Sequence, residues 1–161
     1  MDIIDYSVQY DDDIKDLLVE LQEHIAGIDR EKYNILTDEY RDKYFNKTIN
    51  EVNESEGKIY LAKENDSIVG LIIGIINNEE GKGYDFSVPK RGRVTELVVS
   101  KKCRSKGIGK RLLNKMERYF GEVGCKDVLI EVFAHNDNAQ KFYSENGYFN
   151  RNDEATLRQY Y

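Results

Sequence analysis

The chain has 161 residues, 40% of them hydrophobic, and a net charge of −6. That length and apolar content suit a single domain, residues 1–161, with its own core, and the acidic balance argues against general nucleic-acid binding. Cys103 and Cys125 have neither metal-ligand nor redox spacing and are too few for a disulfide scaffold, so reduced thiols in a cytoplasmic protein are expected and no metal is. The opening Met1-Asp2-Ile3-Ile4-Asp5 is acidic and lacks the apolar segment of a signal peptide. The longest apolar run, Ile68 to Ile76, is far too short to span a bilayer, and no membrane partner is expected.

Charge is unevenly placed. Residues 1–60 carry 7 basic and 16 acidic side chains, whereas residues 61–161 carry 17 and 14, so the second part suits an anionic ligand and the first could face a cation. In chain order, Ile3 to Gln9 is predicted as a first strand. Asp11-Asp12-Asp13 then offers N-caps and favourable charge to a helix bearing Ile14, Leu17, Leu18, Leu21, Ile25 and Ile28. Thr37 or Asp38 opens a second helix carrying Tyr40, Tyr44, Phe45, Ile49 and Val52. Lys58 to Lys63 and Ile68 to Ile76 read as two strands joined at Glu64-Asn65-Asp66-Ser67, a hairpin signal.

A polar loop from Asn77 to Arg91, holding the single proline Pro89, leads to a β-branched run from Val94 to Val99 that only Glu96 interrupts. After Arg104-Ser105-Lys106-Gly107-Ile108-Gly109-Lys110, the apolar residues Ile108, Leu112, Leu113, Met116, Phe120 and Val123 form the stripe of an amphipathic helix, which Gly124 closes. Gly107 and Gly109 thus sit where a strand feeds a helix. There the backbone can turn sharply and approach a ligand, and the helix start offers unpaired N–H donors and a positive dipole end. Eight basic residues lie between Lys101 and Arg118 against one acid, Glu117. The stretch reads as an anion-binding turn, suited to a pyrophosphate. A P-loop is excluded because it needs glycine at position 104 and Ser/Thr after the lysine, where Arg104 and Arg111 stand. The dinucleotide fingerprint is excluded because its third glycine or alanine falls on Leu112.

Asp127 to Ala134 reads as another strand. A short helix follows, capped by Asn136 and ended by Gly147, in the run Asn136-Asp137-Asn138-Ala139-Gln140-Lys141-Phe142-Tyr143-Ser144-Glu145-Asn146-Gly147-Tyr148. The polar tail ends in a possible strand at residues 156–161. Two motifs therefore stand in order: R-x-x-G-x-G after an E-L-x-V strand, and L/I-E-V-x-x-x-N-x-x-A-x-x-F-Y-x-x-x-G-Y. Together they resemble the acyl-coenzyme A loop and the last strand and helix of the GNAT superfamily of N-acetyltransferases. The order β-α-α-β-β-β-α-β-α-β is an α/β arrangement with a mixed sheet. It matches that family's fold, in which helices cover both faces and two strands splay at the acetyl-CoA site.

The resemblance implies acetyl-CoA as cosubstrate. It places the pyrophosphate on the backbone of Ser105, Lys106, Gly107, Ile108, Gly109 and Lys110, with Arg104 and Lys110 adding charge. It places the pantetheine arm against the backbone of Leu97, Val98 and Val99. Asn136 would hydrogen-bond the arm, or serve only as a helix cap, or do both; Asn138 is a second candidate. Tyr143 matches the family's general acid, its alternative role being a core aromatic beside Phe142. Glu131 and Glu96 are the candidates for the base, with a salt bridge or an exposed strand face as the alternative for either, and a water relay could replace both. His24 and His135 lack ligand spacing and read as structural or surface residues. Two positions depart from the family pattern: Lys101 stands where proline is common and Ser105 where glycine is common.

The acceptor implied is a primary amine. Asp29, Glu31, Tyr33, Asp38, Glu39 and Tyr40, with Glu79 and Glu80, would favour a cationic one such as a polyamine, an aminoglycoside, or a peptide lysine or N-terminus, although such a charge run also suits a solvated face. A homodimer is compatible with this reading. The competing function is a non-catalytic acyl-CoA-binding sensor or regulatory module.

Overall fold

A computed structural model describes residues 1–77, 81–82, 84–85 and 87–150. The chain divides into two units, Met1–Glu131 and Val132–Tyr161. The strand predicted at residues 156–161 and the acidic pair Glu79 and Glu80 lie outside the described residues.

The first unit runs β1 (Asp2–Asp5), α1 (Asp11–Ile28), α2 (Tyr40–Glu54), β2 (Lys58–Glu64), β3 (Ser67–Asn77), β4 (Gly81–Lys82), β5 (Ser87–Val88), β6 (Arg91–Val99), α3 (Ile108–Glu122) and β7 (Asp127–Ile130). Five strands make one mixed sheet in the order β1-β2-β3-β6-β7, antiparallel throughout except for the parallel β6/β7 pair. β4 and β5 form a separate antiparallel pair inside what the sequence presents as a polar loop. Asn65 and Asp66 hold φ of 49° and 64° between β2 and β3, the backbone that a two-residue hairpin turn of matching twist requires.

Alternation along the strands assigns the two faces. Ile59 and Leu61 of β2, Leu71 and Ile73 of β3 and Val98 of β6 form one core with Ile14, Leu17 and Leu18 of α1 and Phe45 of α2. On the other face α3 buries Ile108, Leu112, Leu113, Met116 and Phe120, each contributing about 1.5–3 kcal/mol as an upper estimate. The helix sits close to the sheet because β3 and β6 offer glycine beneath it. A Cβ on Gly92 would stand 2.3 Å from Phe120, and one on Gly74 would stand 2.5 Å from the Met116 sulfur.

Several boundaries differ from the sequence-based expectation, among them β6, which starts at Arg91 rather than Val94, and α2, which starts at Tyr40 after Glu39 rather than at Thr37 or Asp38. The first strand stops at Asp5, opposite Tyr60, rather than at Gln9; β2 begins at Lys58, so in this register no β2 residue lies opposite Val8 or Gln9. Val8–Tyr10 instead form a 3₁₀ turn into α1, and the Tyr6 hydroxyl donates to Asp11 Oδ1 at 2.8 Å. Neither long helix of this pair has a side-chain cap; the three aspartates occupy the first turn of α1, where they face its dipole. The last strand stops at Ile130 rather than Ala134, because β7 pairs only with Arg91 to Val94.

The second unit holds α4 (Asp137–Glu145). Asn136 caps it, its side chain accepting from the Ala139 N–H at 3.2 Å. Its far end is a Schellman closure. Gly147, at φ 88°, donates to Ser144 O at 3.1 Å, Tyr148 donates to Tyr143 O at 3.0 Å, and the Tyr143 and Tyr148 rings meet 5.7 Å apart. Among the described residues no helix is long and apolar enough to cross a membrane.

Candidate active site

β6 is paired on both flanks only at its start. Against β3, Glu96 faces Ile73 and Val94 faces Gly74, so Thr95 is one residue too many. Such a bulge bends and twists its strand, and the pairing with β7 ends at the residue before it, Val94. From Thr95 to Val99 the flank of β6 away from β3 has no partner strand among the described residues. Leu97, Val98 and Val99, the residues expected to meet the pantetheine arm, lie on this open stretch.

The open flank runs straight into the loop. Ser100 donates to Val69 O at 2.8 Å, Lys101–Cys103 form a 3₁₀ turn, and α3 begins after Gly107, which stands at φ 75° as its N-cap. The first helical bond closing this turn is Arg111 N–H to Gly107 O at 3.2 Å. The amides of Arg104, Ser105, Lys106, Gly107, Ile108, Gly109 and Lys110 find no acceptor among the described residues. A run of unpaired donors at a helix start is an anion nest. Lys101, Lys102, Arg104, Lys106, Lys110 and Arg111 are all exposed around it. Ser105 stands at φ 64°, a left-handed conformation where serine is strained and glycine is not.

Arg104 has a further role. Its Nε donates to Val99 O at 3.0 Å and its guanidinium lies 3.4 Å from Glu20 Oε1 on α1, so it ties the end of β6 to the loop. Lys106 is 3.8 Å from Glu64.

Glu96 and Glu131 stand in different surroundings. Glu96 lies on the α1/α2 face of β6, half-buried, and the Tyr44 hydroxyl donates to its Oε1. Burial pushes the Glu96 carboxyl above its ordinary value, while the Tyr44 hydrogen bond and the Lys47 charge work against that rise. Tyr40 stacks on Tyr44 at 4.8 Å between centroids, and burial raises both phenols far above the ordinary tyrosine range. Both rings line a shallow groove of about 280 Å³ with Thr37, Glu39, Lys43 and Lys47. Glu131 follows β7 rather than lying within a strand; it is exposed and pairs with Arg93 at 2.9 Å.

In the second unit, Asn136 uses Oδ1 for the helix cap and Asn138 is exposed. Tyr143 is half-buried, its ring edge-on to Phe142 at 5.1 Å as well as to Tyr148.

Part of the acidity of the first part of the chain is matched locally. Arg41 bridges Asp12 and Asp16, Lys15 pairs with Asp42 at 2.9 Å and Lys43 with Glu39 at 2.5 Å. Asp29 is buried and accepts from Glu31 N–H, Asn34 N–H and Asn34 Nδ2, ordering the turn after α1. Sequence reasoning passed over Tyr44 as the partner of Glu96 and Glu20 as the anchor of the loop. The i, i+4 spacing of Tyr40 and Tyr44 marks one helical face, but nothing in the sequence aims that face at Glu96.

Known proteins resemble this chain in sequence and in fold. The model of the acetyltransferase (GNAT) family matches residues 18–148. An uncharacterized N-acetyltransferase of Methanocaldococcus jannaschii is 32% identical over 103 residues, 63% of this chain and 57% of the relative, so the chain spans little more than half of that protein's length. Among solved structures, a Bacillus halodurans protein superimposes with a TM-score of 0.84 at 17% identity, over 99% of this chain and 100% of that one. A protein from Pyrococcus furiosus does so with a TM-score of 0.72 at 24% identity, over 99% and 97%; at these identities the structural likeness speaks for the fold. With the family model matched over most of its length, the chain belongs to the GNAT family of acetyltransferases.

Proposed function

We propose that the protein is an acetyl-CoA-dependent N-acetyltransferase that acylates a primary amine by direct attack on the thioester. The observation that carries this reading is the continuity of the open β6 flank with the unpaired amides of Arg104 to Lys110. An extended arm bearing two amides and ending in a pyrophosphate would meet first a strand edge and then an anion nest. Leu97, Val98 and Val99 would pair with the arm, and Ser105 to Lys110 would hold the phosphates. Asn136 and Asn138 remain the candidates for a further contact to the arm.

An alkyl ammonium has a pKa near 10.4, so only about one part in a thousand or less is neutral at pH 7 and the enzyme must take a proton from it. Glu96 is the proposed acceptor of that proton. Support comes from its half-buried place on the open part of β6, whereas Glu131 is exposed and already paired with Arg93. Tyr143, which matches the family's general acid, is proposed to protonate the departing thiolate. Nothing among the described residues selects a polyamine, an aminoglycoside or a peptide as the acceptor.

The test is calorimetry with coenzyme A followed by a screen of amines with acetyl-CoA, reading thiol release. Binding with turnover of at least one amine is the expected result. Absence of binding would overturn the reading, and binding without turnover across the panel would favour an acyl-CoA sensor or regulatory module.

A further inference from the structure

Resting on the assignment of Glu96 as the base, we propose that Tyr44 is its positioning residue: it fixes the carboxylate through Oε1 and favours the ionised form, leaving Oε2 for the acceptor's proton. Four observations converge. The hydroxyl of Tyr44 donates to Glu96 Oε1 across 52 positions of sequence, and Glu96 Oε2 has no hydrogen bond among the described residues. The Tyr44 ring cannot easily swing away, being stacked on Tyr40 with only 11° between the planes. The same ring lines the groove with Thr37 and Lys47, so one residue joins the surface depression to the half-buried carboxylate.

The electrostatics of the pocket make that single hydrogen bond matter. Facing Glu96 from α2 are Tyr40, Tyr44, Lys47 and Glu51. Lys47 favours the carboxylate and Glu51 opposes it; Lys47 Nζ also lies 5.6 Å from the centre of the Tyr44 ring. Across the ladder β3 presents Ile73, which carries no charge. On α1, Glu20 is held by Lys101 N–H and Arg104, and α3 packs against the opposite face of β6 at Gly92. A carboxyl in such a place tends toward its neutral acid, which cannot accept a proton. Tyr44 is the donor that opposes this, and with its own proton held tightly it stays a donor rather than becoming a competing base. The step then balances simply: one proton leaves the acceptor ammonium for Glu96 Oε2, yielding a neutral amine and a neutral carboxylic acid, with Tyr44 unchanged.

The experiment pairs a carbon-detected NMR titration of the Glu96 carboxyl, assigned with Glu96→Gln, with the pH profile of kcat/KM for an acceptor from the screen. In Tyr44→Phe the Glu96 titration should move to higher pH and the acid limb of the profile should move with it. The rate on that limb should fall about tenfold, the effect of losing one hydrogen bond to a charged group. Tyr40→Phe, which keeps the stack and the Tyr44 hydroxyl, should move both far less. Tyr44→Phe/Glu96→Gln should be no slower than Glu96→Gln alone, since the two residues act as one unit. An unmoved Glu96 titration in folded Tyr44→Phe would overturn the positioning role. A titration that moves while the acid limb stays would uphold the role of Tyr44 toward Glu96 and instead defeat the assignment of Glu96 as the base.

Discussion

Glu20 Oε1 accepts the backbone N–H of Lys101 at 2.7 Å, joining the middle of α1 to the start of the anion loop across 81 positions of sequence. The same oxygen is 3.4 Å from the Arg104 guanidinium, whose Nε reaches back to Val99 O. One carboxylate therefore holds both the entry of the loop and the side chain of Arg104. Because Glu20 is partly exposed, solvent screens much of the ion pair and the hydrogen bond to Lys101 is the more robust part. Glu20→Ala should weaken coenzyme A binding about three- to tenfold, the range expected from losing about 1 kcal/mol of loop order. Glu20→Gln, which keeps an oxygen for Lys101 N–H, should retain most of the affinity. Calorimetry that finds Glu20→Ala equal to the parent would show the loop to be ordered without α1.

Gly107 is the position where the loop tolerates a side chain least for backbone reasons. A Cβ there would meet nothing within 4 Å, so crowding by the protein is not the obstacle; φ of 75° is. Gly107→Val forces a β-branched residue into the left-handed region at a cost of about 1–2 kcal/mol. It should weaken coenzyme A binding at least about tenfold, by distorting the amides and by placing bulk where the phosphate approaches. Unchanged affinity in a folded variant would remove the loop from the binding site. The reciprocal change, Ser105→Gly, relieves φ of 64° and should leave binding intact while raising the unfolding midpoint in urea.

Tyr143→Phe keeps the ring contacts to Phe142 and Tyr148 and removes only the hydroxyl. If Tyr143 is the acid, kcat should fall by roughly 10²–10⁴-fold, the usual contribution of such a group, with coenzyme A affinity nearly unchanged. Steady-state turnover on a proven amine decides this. No loss of kcat would make Tyr143 a packing residue.

Asp29 supplies a pH dependence of stability. The Asn34 backbone N–H first, then the Asn34 side chain and the Glu31 amide, hold its carboxyl down at about 2 despite burial acting the other way. An unfolded aspartate titrates near 3.9, about as in model peptides. The stabilisation is thus fully present above that value and is lost as pH falls toward about 2. Asp29→Asn should lower the urea midpoint at neutral pH and flatten its dependence on pH in that acid window. A parent and variant with parallel profiles would show that the turn after α1 orders without this charge.

Much of the fold is written in local patterns. The period-3.6 stripe from Ile108 to Phe120, the Asn65-Asp66 turn and the Asn136/Gly147 pair each act through neighbours in sequence, so they are legible as soon as the residues are read. The ends of strands are not. β7 ends where its pairing with β6 ends, next to the bulge at Thr95, and β1 gives way to a 3₁₀ turn where β2 has no residue left to lie opposite it, so both ends depend on a neighbouring strand.

The candidate site divides along the same line. The family is legible in the sequence, because glycine spacing, basic residues and the asparagine–tyrosine helix are consecutive features of one chain. Asp29 accepts from Asn34 and Glu39 pairs with Lys43, partners five and four residues further along the chain. The surroundings of Glu96 and Glu131, by contrast, come from folding. Glu96 and Glu131 look alike until one is found beneath Tyr44 and the other beside Arg93. The reason is physical: the energy of a carboxylate depends on burial and on partners within a few ångströms, and folding brings those partners from α2 and β6, far away in sequence.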